Sequence, residues 1–142
     1  MNLLHNNTLG IDIGSTTVKI AVLDSEHHML FTDYERHYAN IQETLALLLS
    51  RAKEKLGEMT VSPSITGSGG LTLSGHLEVP FTQEVVAVAT ALQDYAPQTD
   101  VAIELGGEDA KIIYFTGGID QRMNGICAGG TGSFIDQMAS LL

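Results

Sequence analysis

The chain has 142 residues, 44% of them hydrophobic, and a formal net charge of −10 at pH 7. This acidity argues against nucleic acid or an anionic membrane surface as a partner, because both bind basic surfaces. No apolar run has the length of a membrane-spanning helix, and the polar first residues, 1–8, are unlike a secretory signal. A single cysteine excludes an internal disulfide. We therefore expect a globular, cytoplasmic protein.

The first predicted element is a β-hairpin around a hydroxyl-rich turn. Apolar strands over 9–13 and 18–23 flank this turn. The turn consists of Gly14, Ser15, Thr16 and Thr17. Glycine allows a tight turn, and backbone N–H groups with hydroxyls suit phosphate oxygens. Asp12, at the end of the first strand, is placed to hold a hydrated Mg²⁺, and Lys19 adds a positive charge. The hairpin therefore predicts a phosphate-binding turn.

The middle of the chain is predicted to be scaffold. The expected elements are a strand over 29–38, a helix over 40–57, a strand over 61–66 and a helix over 82–96. Asn40, with Glu43 three residues later, and Thr82 are the expected N-caps. Glu84 is expected to favour the positive end of the helix dipole rather than to act in catalysis. The adjacent His27 and His28 are expected to be solvated in a turn.

The glycine-rich segment 67–70 is open to two interpretations. It lacks the third glycine of the dinucleotide fingerprint and the Gly-Lys-Ser/Thr of the P-loop. It is either a plain connection from a strand to a helix or a place where backbone approaches a ligand.

The hairpin pattern returns near residue 104. An acid, an apolar residue, a glycine, a small residue, three further residues and a lysine recur in the same order. The repeated set includes Glu104, Gly106, Gly107, Glu108 and Lys111. Strands over 100–105, 110–115 and 119–123 then repeat the opening β-β-β order. We interpret this as a duplicated hairpin; the alternative is two ordinary hairpins whose acids are solvated.

A second glycine-rich segment, 124–133, contains the single cysteine, Cys127, and leads into a helix with Phe134, Met138 and Leu141 on one face. The neighbouring N–H groups favour a thiolate at Cys127, whereas a buried thiol with only a packing role is the alternative. One thiolate cannot hold a metal cluster, so a cluster would need ligands from outside this chain. We interpret the C-terminus as a truncation; a short protein with a terminal helix is the alternative.

Three segments, 9–19, 104–111 and 124–134, resemble the ATP-dependent activators of 2-hydroxyacyl-CoA dehydratases and the ATPase subunits of benzoyl-CoA reductase. The two hairpins look like the phosphate motifs of the superfamily of actin, sugar kinases and heat-shock ATPases. The segment 127–134, Cys-Ala-Gly-Gly-Thr-Gly-Ser-Phe, is the most specific part. The resemblance implies an α/β, ribonuclease-H-like lobe over 1–97 and the truncated start of a second, similar lobe over 98–142.

The resemblance also implies a site. Its first phosphate motif corresponds to Asp12, Gly14, Ser15, Thr16, Thr17 and Lys19, and its second to Glu104, Gly106, Gly107, Glu108 and Lys111. Asp12 and Glu104 are expected to orient Mg²⁺ and water for ATP hydrolysis. Cys127 is expected to ligate a 4Fe–4S cluster shared across a homodimer, which passes electrons to a dehydratase or reductase.

The chain departs from the family pattern at several points. It lacks the second cluster cysteine and the glycine-rich adenosine motif, and Glu104 and Glu108 stand where relatives carry Asp and Gln. Two other functions remain open, namely a small-molecule kinase of the same superfamily and a non-catalytic nucleotide-sensing or docking domain. Iron analysis distinguishes the activator from the kinase and from the non-catalytic domain. An ATPase assay without added substrate distinguishes the activator and the kinase from the non-catalytic domain.

Overall fold

The computed structural model describes residues 7–124 and 131–142, which divide after Thr82 into two compact units. The first unit contains β1 (Asn7–Ile13), β2 (Thr17–Leu23), β3 (Met29–Arg36), α1 (Ile41–Leu56), β4 (Val61–Thr66) and α2 (Gly70–Leu77). The second contains α3 (Glu84–Tyr95), β5 (Val101–Leu105), β6 (Ala110–Tyr114), β7 (Asp120–Met123) and α4 (Gly132–Ser140). No helix in these described ranges is long and apolar enough to cross a membrane.

The first unit is a four-stranded mixed sheet with the order β3-β2-β1-β4. β1 pairs antiparallel with β2 and parallel with β4. Alternate residues of β1 and β2 form a buried core with the apolar stripe of α1. The fully buried members of this core are Ile13, Val18, Leu48 and Ile65. This buried core fixes the position of β1, and therefore of the end of β1 that leads into the first turn.

The second unit has an antiparallel sheet with the order β5-β6-β7. In its hairpin, Glu104 lies opposite Lys111, just as Asp12 lies opposite Lys19 in the first unit. The strands around each turn therefore have the same register relative to the acid and the lysine. This confirms the repeat that was predicted from the sequence.

Most elements lie within a few residues of their predicted bounds, and β4 matches them fully. α2 was not predicted from the sequence, because its eight residues are too few for a clear helical period and include Gly75. The compact units divide after Thr82, so α3 groups with the second unit, whereas the predicted lobe boundary follows residue 97. The assignment of 1–97 and 98–142 to two similar lobes stays a prediction.

One of the two predicted helix caps differs from the observed one, and the other has the predicted position without a side-chain cap bond. The N-cap of α3 is Gln83, and Thr82 instead donates its N–H to the Ile65 carbonyl. The prediction for Thr82 was wrong: its backbone is bonded to β4, and its hydroxyl lies 3.3 Å from the Ser64 hydroxyl of β4 rather than capping the helix. Asn40 does occupy the N-cap position of α1, but its amide donates to the Glu43 carboxylate at 2.5 Å and makes no side-chain cap.

Asp24 organises the turn between β2 and β3. Its carboxylate accepts the N–H of Glu26 at 2.8 Å and the N–H of His28 at 2.9 Å. The bond from His28 is the main cause that lowers the pKa of Asp24 below its ordinary value. Among the described residues, no group of three or more His, Cys, Asp or Glu side chains is arranged to hold a metal ion.

Candidate functional site

The first turn is closed by its own backbone and anchored from outside. Gly14 N–H donates to the Thr17 carbonyl at 2.9 Å. A β-carbon on Gly14 would lie 3.3 Å from that carbonyl oxygen, so glycine allows this close turn. The Gly14 carbonyl bonds the His37 ring at 3.1 Å, and the Thr16 carbonyl accepts the N–H of His37 at 3.1 Å.

The donors of the first turn remain available. Within residues 7–124 and 131–142, the N–H groups and hydroxyls of Ser15 and Thr16 have no hydrogen-bond partner. Ser15 is exposed and Thr16 is half-buried. Successive unpaired N–H groups and hydroxyls at a turn are the groups that bind phosphate oxygens. The geometry of this turn therefore fits an anion.

Asp12 and Lys19 form a partly exposed ion pair beside the turn. The Lys19 ammonium lies 3.1 Å from Asp12 Oδ2. About a third of the Asp12 side chain (34%) and about half of the Lys19 side chain (52%) remain exposed. A pair this exposed contributes about 1 kcal/mol or less to stability, so it opens at little cost. Asp12 stays accessible to a hydrated cation, and Lys19 to an anionic ligand.

The glycine-rich segment 67–70 packs directly against the end of β1. Gly69 N–H donates to the Ile13 carbonyl at 2.9 Å. A β-carbon on Gly67, whose φ is +97°, would lie 2.3 Å from the same oxygen and 2.5 Å from Asp12 Oδ1. The segment connects a strand to a helix, as the first interpretation of the sequence predicted, and it packs closely against Asp12. Its approach to a ligand stays a prediction.

Thr66 completes this end of the sheet. It occupies the register position beside Asp12 in the parallel pairing of β1 with β4. Its hydroxyl is buried and has no hydrogen-bond partner among the described residues. A water in the shell of a cation held by Asp12 would supply such a partner. The donor set around Asp12 therefore fits a hydrated Mg²⁺.

The second turn repeats the closure of the first. Gly106 N–H donates to the Asp109 carbonyl at 2.8 Å, as Gly14 N–H does to Thr17. The start of α4 holds this turn, because Gly132 N–H donates to the Gly106 carbonyl at 2.8 Å and the Ser133 hydroxyl donates to the Gly107 carbonyl. A β-carbon on Gly132 would lie 3.0 Å from Gly106 O, so glycine permits the approach of α4.

Lys111 is the buried centre of a charged cluster. Only 7% of its side chain is exposed, and its ammonium donates to Glu84 Oε2 at 2.6 Å. Asp109 and Glu104 oxygens lie 3.5 Å and 3.8 Å from the same nitrogen. Burial acts to lower the pKa of Lys111, but the bond to Glu84 and the charges of Glu104, Glu84 and Asp109 together raise it above the ordinary lysine value. Lys111 is thus charged at neutral pH and anchors the surrounding carboxylates.

Sequence reasoning did not identify two of these contacts. Glu84 was assigned to the helix dipole alone, and the structure adds its bond to Lys111. His37 was not singled out, because it follows β3 and belongs to no motif. A buried histidine next to a strand end is a weak signal without tertiary structure. Cys127 lies outside the described residues, so its role stays a prediction.

Comparison with known proteins gives four related results. The profile of the family described as the BadF/BadG/BcrA/BcrD ATPase family matches residues 9–142. The activator of lactoyl-CoA dehydratase from Anaerotignum propionicum is 32% identical over 143 residues, covering 95% of this chain and 53% of that protein. The crystal structure of component A of (R)-2-hydroxyglutaryl-CoA dehydratase from Acidaminococcus fermentans has a TM-score of 0.82 at 28% identity, covering 95% of this chain and 53% of that one.

The activator of 2-hydroxyisocaproyl-CoA dehydratase from Clostridium difficile, solved with bound ADPNP, has a TM-score of 0.80 at 26% identity and covers 95% of this chain and 52% of its own. These structures confirm the fold class expected from the sequence. The chain spans about half the length of the relatives it matches.

Proposed function

The chain belongs to the BadF/BadG/BcrA/BcrD ATPase family, and from that premise we propose that it is part of an ATP-hydrolysing activator that drives low-potential electron transfer to a 2-hydroxyacyl-CoA dehydratase or a related CoA-ester reductase. The observation that supports this most is the repeated turn geometry. Each turn is closed by the same glycine-to-carbonyl bond and is flanked by an acid opposite a lysine. Each such turn by itself suits phosphate oxygens.

In the proposed mechanism, the first turn binds phosphate oxygens through the available donors of Ser15 and Thr16. Gly14 and Thr17 shape the turn, and Lys19 contributes a positive charge. Asp12 would hold hydrated Mg²⁺, which neutralises charge that develops on the phosphates during hydrolysis. Gly106, Gly107 and Glu108 would form the second phosphate turn, with Glu104 orienting Mg²⁺ and water.

Lys111 belongs to the second motif in this proposal, and its contacts suggest how it acts. Its ammonium is bound to Glu84 and lies near two further carboxylates. It therefore serves first to hold Glu104 and Asp109 in place beside the turn. The negative charge of Glu108 next to phosphate needs a cation nearby, which bound Mg²⁺ would supply.

Substitution of Asp12 tests the ATPase part of the proposal. In the complete natural protein, purified without oxygen, Asp12→Asn should lower the rate of ATP hydrolysis by at least about tenfold, because the amide is a much poorer magnesium ligand. The melting temperature should change little, since the Asp12–Lys19 pair is largely exposed. The control Glu54→Gln, an exposed carboxylate on α1, should leave the rate unchanged. Equal rates in the wild type and Asp12→Asn would reject the assignment.

The 4Fe–4S cluster, the homodimer and the partner dehydratase or reductase are parts of the proposal that rest on the resemblance. Cys127 is the proposed ligand from this chain, and the cluster would supply electron transfer. The anaerobically purified natural protein should contain iron and sulfide, and Cys127→Ser should lose both while retaining ATP binding. Iron-free protein that phosphorylates a small molecule would instead favour the kinase.

A further inference from the structure

We propose that His37 is a positioning residue that orients the first phosphate turn by engaging its carbonyl oxygens, an inference that rests on the function proposed above. His37 lies between β3 and α1, outside both phosphate motifs. It is buried, with 8% of its surface exposed. Its ring and its backbone both contact the turn, although it is more than twenty residues away in sequence.

The hydrogen bonds of the His37 ring define which of its two nitrogens carries the proton of the neutral imidazole. Ala39 N–H donates to His37 Nδ1 at 3.0 Å, so Nδ1 is an acceptor and carries no proton. The proton of the neutral ring is therefore on Nε2, which donates to the Gly14 carbonyl at 3.1 Å. The backbone N–H of His37 donates to the Thr16 carbonyl at 3.1 Å. One residue thus binds two carbonyl oxygens of the turn.

This arrangement determines which groups the turn offers to a ligand. Carbonyl oxygens repel phosphate oxygens, whereas N–H groups and hydroxyls bind them. With the carbonyls of Gly14 and Thr16 engaged by His37, the donors of Ser15 and Thr16 stay without a partner in the described part of the chain. Without His37, those carbonyls would be free to rotate toward the phosphates.

The second turn has the same restraint, made from other groups. Gly106, which corresponds to Gly14, has its carbonyl bound by Gly132 N–H at 2.8 Å. The neighbouring Gly107 carbonyl accepts the N–H of Ser133 at 3.3 Å. Two turns with the same register therefore both have carbonyls held from outside, one by a histidine and one by the start of a helix. The recurrence indicates that carbonyl restraint is part of how these turns work.

The two residues after His37 have a strained backbone conformation, which positions the Ala39 N–H against the His37 ring. Tyr38 and Ala39 have φ values of +43° and +68°, and two successive non-glycine residues rarely adopt this region. Such strain persists only where surrounding contacts impose it. Asn40 N–H donates to the His37 carbonyl at 2.6 Å, and this tight turn aims the Ala39 N–H at Nδ1.

Three substitutions in the complete natural protein separate the contacts of the ring. The amide nitrogen of Gln reaches about as far as Nε2, so His37→Gln keeps a donor for the Gly14 carbonyl. The oxygen of Asn reaches only the Nδ1 position, so His37→Asn keeps the acceptor for Ala39 N–H and loses that donor. His37→Ala loses both. We expect the dissociation constant for Mg–ATP, measured by calorimetry, to rise about tenfold in His37→Ala and His37→Asn, and only about two- to threefold in His37→Gln.

The control is His76→Gln. His76 lies on α2, is exposed, and bonds the Thr72 carbonyl at 2.8 Å away from the turn, so this variant should bind Mg–ATP like the wild type. KM for ATP should follow the dissociation constants while kcat changes less, because the turn contacts the nucleotide before and during hydrolysis. A purely structural role would lower the melting temperature of all three His37 variants without this ranking.

A second measurement needs neither nucleotide nor a variant. Long-range ¹H–¹⁵N NMR of the wild type at mildly alkaline pH should show His37 with its proton on Nε2. A proton on Nδ1, or equal ATP affinity in all three His37 variants while Asp12→Asn loses hydrolysis, would overturn this inference and leave the proposed function intact. Normal hydrolysis in Asp12→Asn would remove the proposed function and this inference with it.

Discussion

Gly67→Ala should be among the most destabilising single substitutions in the first unit, lowering the free energy of unfolding by about 2–5 kcal/mol. The left-handed φ of +97° costs a β-carbon about 1–2 kcal/mol, and contact with packed atoms adds about 1–3 kcal/mol. The atoms it meets are backbone of Ile13, at 2.3 Å, and the Asp12 carboxylate, at 2.5 Å. The Ile13 backbone cannot move without displacing the end of β1, whereas the Asp12 carboxylate can turn aside because its side chain is partly exposed. Urea unfolding followed by circular dichroism measures the change.

Two other glycines provide matched controls. Gly57 also has a positive φ, +78°, but nothing lies within 4 Å of a β-carbon there, so Gly57→Ala should cost only the backbone strain, about 1–3 kcal/mol, without the added cost of a clash. Gly75 has open space and lies inside α2, so Gly75→Ala should stabilise by about 0.5–1 kcal/mol. Equal costs for Gly67→Ala and Gly57→Ala would mean that the close packing against β1 is absent in solution.

Lys111→Met should destabilise the second unit by about 2–3 kcal/mol. The substitution leaves Glu84, Glu104 and Asp109 close together without the ammonium that neutralises them, and a buried charge partner is costly to remove. These carboxylates are about a third exposed, which keeps the loss below that of a fully buried pair. Hydrogen exchange of the β6 amides reports the loss locally.

The control for this prediction is Lys53→Met. Lys53 pairs with Glu58 at 3.1 Å, and both side chains are largely exposed, so the change should be below about 1 kcal/mol. Adding Glu84→Gln to Lys111→Met should recover about 1–2 kcal/mol, because the double variant has one fewer unpaired carboxylate. Additive losses in the double variant would show that Glu84 and Lys111 do not interact.

The raised pKa of Lys111 makes the contribution of this charged cluster to stability depend on pH. Its folded pKa is raised above the unfolded value of 10.5, so its stabilisation is fully present below that pH. The contribution is lost as pH rises through the higher folded pKa. The wild type should therefore lose stability at strongly alkaline pH in a step that Lys111→Met lacks.

The sequence by itself determined the hairpins, the principal helix and the family of the protein. Apolar runs of strand length on either side of Gly14 and Gly106 indicated two hairpins, and the equal spacing from acid to lysine set the same register twice. The apolar residues of β1 and β2 are buried in the core, whereas Val101, Ile103 and Leu105 of β5 remain exposed. Six apolar residues of α1 recur at helical spacing and likewise required one buried face, namely Ile41, Leu45, Leu48, Leu49, Ala52 and Leu56. Leu49, at the edge of this face, remains 36% exposed. A local period of apolar residues predicts a helix or a strand without knowledge of the tertiary structure, because it depends only on residues that are close in sequence.

Only the tertiary structure decided how the turns are held and which side chains meet. Thr82 is a good N-cap residue by type, but its hydroxyl pairs with the Ser64 hydroxyl, its N–H bonds the Ile65 carbonyl, and the helix begins two residues later. His37 meets Gly14, and Glu84 meets Lys111, across 23 and 27 residues. Contacts between residues so far apart depend on the packing of whole elements, and no local pattern of residue types encodes that packing.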